Sequence, residues 1–240
     1  MKNTVLVIKK ELKDYFISPI AYVVIATFLV ITGVIFAKDV FINNQANMRN
    51  FFEYIPLVLI IALPALTMRS WAEERKEGTL EIISTLPISN LNLIIAKFVS
   101  CLIFTLIALL LTLPIPLTLN ILGNPDNGVI IAGYFGLALL SASYVAIGQF
   151  ISINTKNQIV AFILSASLIA LLYLFGEAQF LLFVPVSLRF LLEALGLGSH
   201  FRSIAKGVLD TRDILYYLSI IVFLFYFTYK SLLRIKSKGK

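Results

Sequence analysis

The sequence predicts an all-α membrane protein with six transmembrane helices, an amino-terminal amphipathic interface helix and a cytoplasmic helix between the second and third spans. Three observations lead there. Of 240 residues, 59% are hydrophobic and only 14% charged, whereas soluble domains run near 25% charged. Six apolar runs are each long enough to cross a bilayer, and lysine and arginine gather on alternate connections between them. A mean hydropathy of +0.93 leaves too little polar side chain to cover a water-facing globule, which excludes a soluble enzyme and a disordered chain.

The first element is the segment 1–18. Val5, Ile8, Leu12, Tyr15 and Phe16 recur at helical spacing, with Lys9, Lys10, Glu11, Lys13 and Asp14 on the other side. This is the pattern of a helix lying on the cytoplasmic leaflet. Pro19 then suits the first turn of the span that follows. That span, 19–37, exceeds the roughly 7–15 residues of a signal-peptide core, and no small-residue cleavage pattern follows it, so it is read as retained.

The remaining spans are placed at about 51–68, 91–119, 129–151, 158–175 and 214–233. A helix rising about 1.5 Å per residue needs about 20 residues to cross a hydrocarbon layer of roughly 30 Å. The runs are continuous rather than alternating, and a helix satisfies its own backbone in lipid, so helices are preferred to a barrel.

The charges orient these spans. Lys2, Lys9, Lys10, Lys13, Arg69, Arg75, Lys76, Lys97, Lys156, Lys230, Arg234, Lys236, Lys238 and Lys240 fall on one side, fourteen of the twenty basic residues. Lys38, Arg49, Arg189, Arg202, Lys206 and Arg212 fall on the other. The positive-inside bias puts both termini in the cytoplasm, as an even number of spans requires. The net charge of +7 thus reads as topology and not as a nucleic-acid surface, because the basic residues sit in short segments between apolar runs.

On the outer side, 120–128 is a turn-rich connector, while 176–213 is long for a loop without structure. Leu188, Leu191, Leu192 and Leu195 share one side of a helix at 186–195, and Phe201, Ile204 and Val208 share one face at 200–209. Short outer helices are therefore expected within 177–210, either as a lid or as a structural cap. Inside the bundle, Ala138, Ala142 and Ala146 repeat every four residues, with Gly148 and Ser152 on an adjacent strip, a spacing that lets helix backbones approach. No charge lies in the middle of a span: Glu53 and Lys97 sit near ends, where long side chains reach the interface. Cys101 is the single cysteine and lies in an apolar run, and His200, the single histidine, is expected to be an ordinary loop residue. No metal-ligand cluster is present, and no bound cofactor is expected.

The most patterned polar stretch is 69–89, RSWAEERKEGTLEIISTLPIS. Trp71 is expected to mark where the chain leaves the bilayer. Glu73, Glu77 and Glu81 recur every four residues, Leu80, Ile83 and Leu86 supply an apolar side, and Gly78 permits a bend between the two halves. A helix at about 70–85 lying along the membrane would turn its carboxylates to the cytosol, where a basic protein surface could dock.

The order Pro64, Arg69, AEERKEGTLEIISTLPIS (72–89) and Lys97 resembles the signature of ABC-2 type transporter permeases, in particular the subgroup of gliding-motility-associated and copper-processing permeases. KKELKDYFISPIAY (9–22) resembles that subgroup's interface helix and first span. SHFRSIAKGVLDTRDILYYLS (199–219) is similar to its entry into the last span. The resemblance therefore covers the whole chain, 1–240, as a single ABC-2 transmembrane domain.

The resemblance implies a permease that works as a pair, with itself or with a related chain, above two cytosolic ATPase subunits in a bacterial plasma (inner) membrane. On it, Glu73, Glu74, Arg75, Lys76, Glu77, Gly78, Thr79, Leu80 and Glu81 match the coupling helix that sits in a cleft of the ATPase. The chain has no GxxxxGK[ST] loop, so ATP and Mg are expected in the partner and no catalytic residue is expected here. The partners expected are thus the ATPase, a second permease and membrane lipid, with no nucleic acid. Two other classes stay open: a membrane anchor that docks a cytosolic protein through the same helix without transport, and a secondary carrier, for which neither an internal repeat nor a buried charge is seen.

Overall fold

The structure, a computed structural model, describes residues 2–42, 47–79, 88–123 and 125–238. These residues are almost entirely helical and include no strand. Helix α1 (Lys2–Ile17) ends at Ser18, whose backbone is extended (φ −72°, ψ 123°) because Pro19 follows it. Pro19 opens α2 (Pro19–Ala37), and the chain runs on into a π-helical turn, Lys38–Ile42. Asn50 Nδ2 donates to Asp39 Oδ1 at 2.8 Å and ties that turn to the start of the next helix.

Helix α3 (Arg49–Glu77) is the first departure from expectation. The sequence suggested a span at 51–68 followed by a separate membrane-lying helix at about 70–85. The structure instead carries the span straight through Arg69 and Ser70 to Glu77, in one helix of 29 residues. No glycine or proline interrupts 65–77, and the helix stops only at Gly78, which is left-handed (φ 72°). The rest of the expected helix, from Leu80 on, lies outside the described residues.

The run expected at 91–119 is divided in two. Helix α4 (Asn90–Leu110) starts on Ser89, whose Oγ accepts from Asn92 N. Helix α5 (Pro114–Leu122) follows a turn. Pro114 has no N–H to continue the ladder, and Thr112 Oγ1 donates to Leu109 O at 2.6 Å within the turn. Asp126 Oδ1 accepts from Gly128 N and Val129 N to start α6 (Asn127–Asn154). Asn157 caps α7 (Gln158–Leu174) in the same way. Three short helices follow, α8 (Ala178–Leu181), α9 (Val186–Leu195) and α10 (Leu197–Ala205), and then α11 (Thr211–Lys238).

Five stretches are long and apolar enough to cross a membrane by length and composition: Pro19–Ile42, Arg49–Glu77, Asn90–Leu122, Asn127–Asn154 and Thr211–Ser237. The remaining expected span, the fifth in order, is the shorter α7, whose 17 residues rise about 25 Å. Helix α6 is central, packing on α3, α4, α7, α10 and α11. In its most apolar stretch 72% of residues are buried, against 17% for α2 and α11. Those two peripheral helices turn Val23, Val30, Val34, Leu215, Val222 and Phe223 outward.

The small-residue strip sits on the α3–α6 seam. A Cβ on Gly148 would lie 2.1 Å from Thr67 Oγ1, so the two helices meet there at a distance only glycine permits. Ser152, one turn on, accepts from the backbone N of both Trp71 and Ala72 at 3.1 Å and donates to Met68 O at 3.0 Å.

At the opposite end of the bundle the expected short helices are present. His200 is in α10 and not in a loop: its Nδ1 lies 2.7 Å from Asp213 Oδ1, and its ring stacks on Tyr216 at 3.8 Å between centroids. Tyr217 donates to Leu197 O at 2.8 Å. These contacts clamp α10 to the first turns of α11.

Candidate functional site

The residues singled out by sequence lie at the end of α3, where α1, α4 and the last turn of α6 converge. Lys97 is the centre of that meeting. It lies two turns inside α4, is 2% exposed, and donates from Nζ to Glu74 Oε1 at 2.7 Å, Ser70 O at 2.7 Å and Glu11 Oε1 at 3.1 Å. The ammonium also stands 5.0 Å from the centre of the Trp71 ring. All three of its N–H donors thus have an acceptor, which is the condition for a buried lysine to stay charged.

This corrects two expectations. Lys97 does not reach outward from the helices; two carboxylates hold it buried among them. Glu11, placed by periodicity on the polar side of α1, faces inward with Ile8, Leu12 and Tyr15, and the exposed side of α1 carries Val5, Leu6, Phe16 and Ile17 together with Lys9, Lys10, Lys13 and Asp14. Trp71 is fully buried, packed with Leu93, Ile94, Ile153 and Leu232.

The other predicted residues divide by position. Arg75 Nη1 donates to Ile153 O at 2.7 Å, joining the tip of α3 to the end of α6. Glu73 is half-buried, and Lys76 and Glu77 are exposed. A β-carbon on Gly78 would meet nothing within 4 Å, so its left-handed backbone and not crowding is what selects glycine. Thr79 Oγ1 donates to Glu74 O at 3.4 Å. Leu80 and Glu81 lie outside the described residues.

Between α1 and the tip of α3 is a cavity of about 480 Å³. Glu11, Asp14, Glu73, Glu74 and Glu77 line it, against Lys10, Arg69 and Lys97. Tyr15 closes one side; burial pushes its hydroxyl well above the usual tyrosine value, with Cys101 and Glu11 adding to the shift. It is therefore a neutral group at any physiological pH. Among the described residues no cluster of three metal-ligating side chains occurs.

A family model for ABC-2 family transporter proteins matches residues 7–234. The chain belongs to the ABC-2 transporter family. A search of curated proteins finds no match. Members of the ABC-2 family are normally non-catalytic membrane subunits that work with an ATPase subunit. The match and the apolar helices together make this chain an integral membrane protein and a permease component of an ABC transporter. It runs from α1 into α11, so the acidic tip of α3 and its inward anchors Glu11, Lys97, Ser152 and Ile153 are all within the ABC-2 unit. Reading the sequence alone missed those anchors; the available signal was Lys97 itself, a cation well inside an apolar run, which calls for a partner.

Proposed function

We propose that this ABC-2 permease moves its substrate across a bacterial plasma membrane by transmitting the closure of a separate cytosolic ATPase through residues 70–81. One observation supports this most: α3 is a single helix from Arg49 to Glu77. Its 29 residues rise about 44 Å, beyond the roughly 30 Å of hydrocarbon. A span that protrudes without a break transfers displacement of its tip along its whole length. Lys97 and Arg75 fasten that tip to α4 and α6, so displacement is shared with two further helices.

In this reading α7 completes the six spans, both termini are cytoplasmic, and α1 lies on the cytoplasmic leaflet. Two permease protomers, like or unlike, pair above two ATPase subunits, which hold ATP and Mg; this chain holds no cofactor. The segments 9–22 and 199–219 favour the gliding-motility and copper-processing subgroup within the family. Replacing Glu77 with Ala and Gly78 with Val tests the coupling assignment. Co-purification of the ATPase and its stimulation by the permease should both fall. If neither changes, residues 70–81 are not the coupling element.

A further inference from the structure

The cavity between α1 and the tip of α3 has acceptors that no described residue uses. Ser70 is 7% exposed, and its Oγ, together with Glu74 Oε2, is buried without a hydrogen-bond partner among the described residues. Both residues line the cavity. Of the nearby cations, Lys97 is engaged with Glu11 and Glu74 and Lys10 faces Asp14 at 3.8 Å, whereas Arg69 donates from Nη1 to Ser18 Oγ at 3.1 Å and its Nε is buried without a hydrogen-bond partner among the described residues. Glu73 and Glu77 form no ion pair among the described residues. Against that one idle N–H the site presents, among the described residues, one idle buried carboxylate oxygen, one idle hydroxyl and two unpaired carboxylates; five carboxylates face three cations around a space of about 480 Å³, within the roughly 300–1,000 Å³ of small-ligand pockets.

Such a set is complementary to a group that only donates hydrogen bonds and carries positive charge. A guanidinium or an ammonium has that character. We propose that the cavity receives one basic side chain, an arginine or a lysine, from the ATPase subunit. This rests on the coupling reading above and adds a second contact to it: Glu77 and Thr79, within the segment proposed for coupling, both line the cavity, so a subunit gripping the tip of α3 would meet the cavity as well. A cation seated there reaches Glu74, and through Glu74 the buried Lys97, so docking bears directly on the joint between α1, α3 and α4.

Trp71 is the sole tryptophan, and Lys97 stands over its ring, so its fluorescence reports on the cavity. The permease in phosphatidylcholine nanodiscs is titrated with N-acetylargininamide, which carries one guanidinium, and with tetramethylammonium, which has no N–H donor. A saturable change with the first alone is expected, weakened roughly tenfold or more in Glu73→Gln/Glu77→Gln, as for loss of charge-assisted hydrogen bonds. No saturable change, or an equal one in the variant, overturns the proposal.

In the permease–ATPase complex the same probe should suppress permease-stimulated hydrolysis while leaving the isolated ATPase unaffected. If the titration succeeds but stimulation is untouched, the ATPase does not supply the cation and the proposal fails. Loss of the probe signal in phosphatidylethanolamine nanodiscs would then assign the site to a lipid amine. A complex that responds to Gly78 substitution but ignores the probe rejects this cavity and leaves the coupling reading standing. A permease that never stimulates the ATPase rejects the coupling reading itself.

Discussion

Lys97 Nζ lies 2.7 Å from Glu74 Oε1, and this pair joins a helix that begins at Asn90 to the tip of one that begins at Arg49. Glu11 completes the group from a third helix, at 3.1 Å. Removing one partner of a buried pair leaves an uncompensated charge, which costs about 3–5 kcal/mol. Lys97→Met is expected to lose stability near the lower end, since the Glu74 side chain keeps 15% exposure. Lys97→Met/Glu74→Gln should recover part of that loss. Thermal unfolding in detergent measures both, and a double variant less stable than the single one would contradict the pairing.

Gly148 against Thr67 is the closest point of the α3–α6 seam. A Cβ there would meet Thr67 Oγ1 at 2.1 Å and Thr67 Cβ at 2.8 Å. Because threonine branches at Cβ, rotation alone does not clear the clash. Gly148→Ala should cost about 1–3 kcal/mol, the range for overpacking. Gly148→Ala/Thr67→Ala should cost less, because only the Cβ contact remains. Melting temperatures of the wild type, these two variants and Thr67→Ala in one detergent decide it.

At the far end, His200 is expected to hold α10 on α11. His200→Ala removes the Tyr216 stack and leaves Asp213, 7% exposed, without its imidazole partner, a loss of about 1–3 kcal/mol. The effect should be local: hydrogen exchange across Leu197–Ala205 accelerates while the α3–α6 seam keeps its protection.

Gly78 separates a conformational effect from a steric one. Its φ of 72° costs a β-carbon residue about 1–2 kcal/mol, and asparagine tolerates that region best. Permease-stimulated ATP hydrolysis should therefore fall in the order Gly78, Gly78→Asn, Gly78→Ala, Gly78→Val. Equal activities across the series would show that the left-handed turn does not matter.

Periodicity and hydropathy are local quantities, and they located what is local: the apolar runs, a helix over 5–17, and the short helices near 186–195 and 200–209. The contacts they could not locate are those between distant residues. Lys97 meets Glu11 across 86 positions and Ser70 across 27, so nothing near Lys97 in sequence shows that it is neutralised. The same holds for Trp71, whose burial is made by Ile153 and Leu232, and for Glu11, which the helical wheel of α1 assigns to the polar side. Where α3 stops was misread for a different reason. Polarity rises at Arg69, but nothing between there and Gly78 breaks a helix, and leaving the apolar layer does not require the helix to end. Within the candidate site, the acidic spacing and Gly78 were legible; the cavity they share with α1 was not.

Coupling of this kind requires that ATP acting at the cytoplasmic tip of α3 alters the opposite end of the same molecule. Hydrogen exchange of the permease–ATPase complex in nanodiscs, with and without ATP and Mg, measures this directly. The expected result is an ATP-dependent change in protection across Leu197–Ala205 that is lost in Gly78→Ala. Hydrolysis at the full rate with no change at that end, or a change that persists in Gly78→Ala, would contradict it.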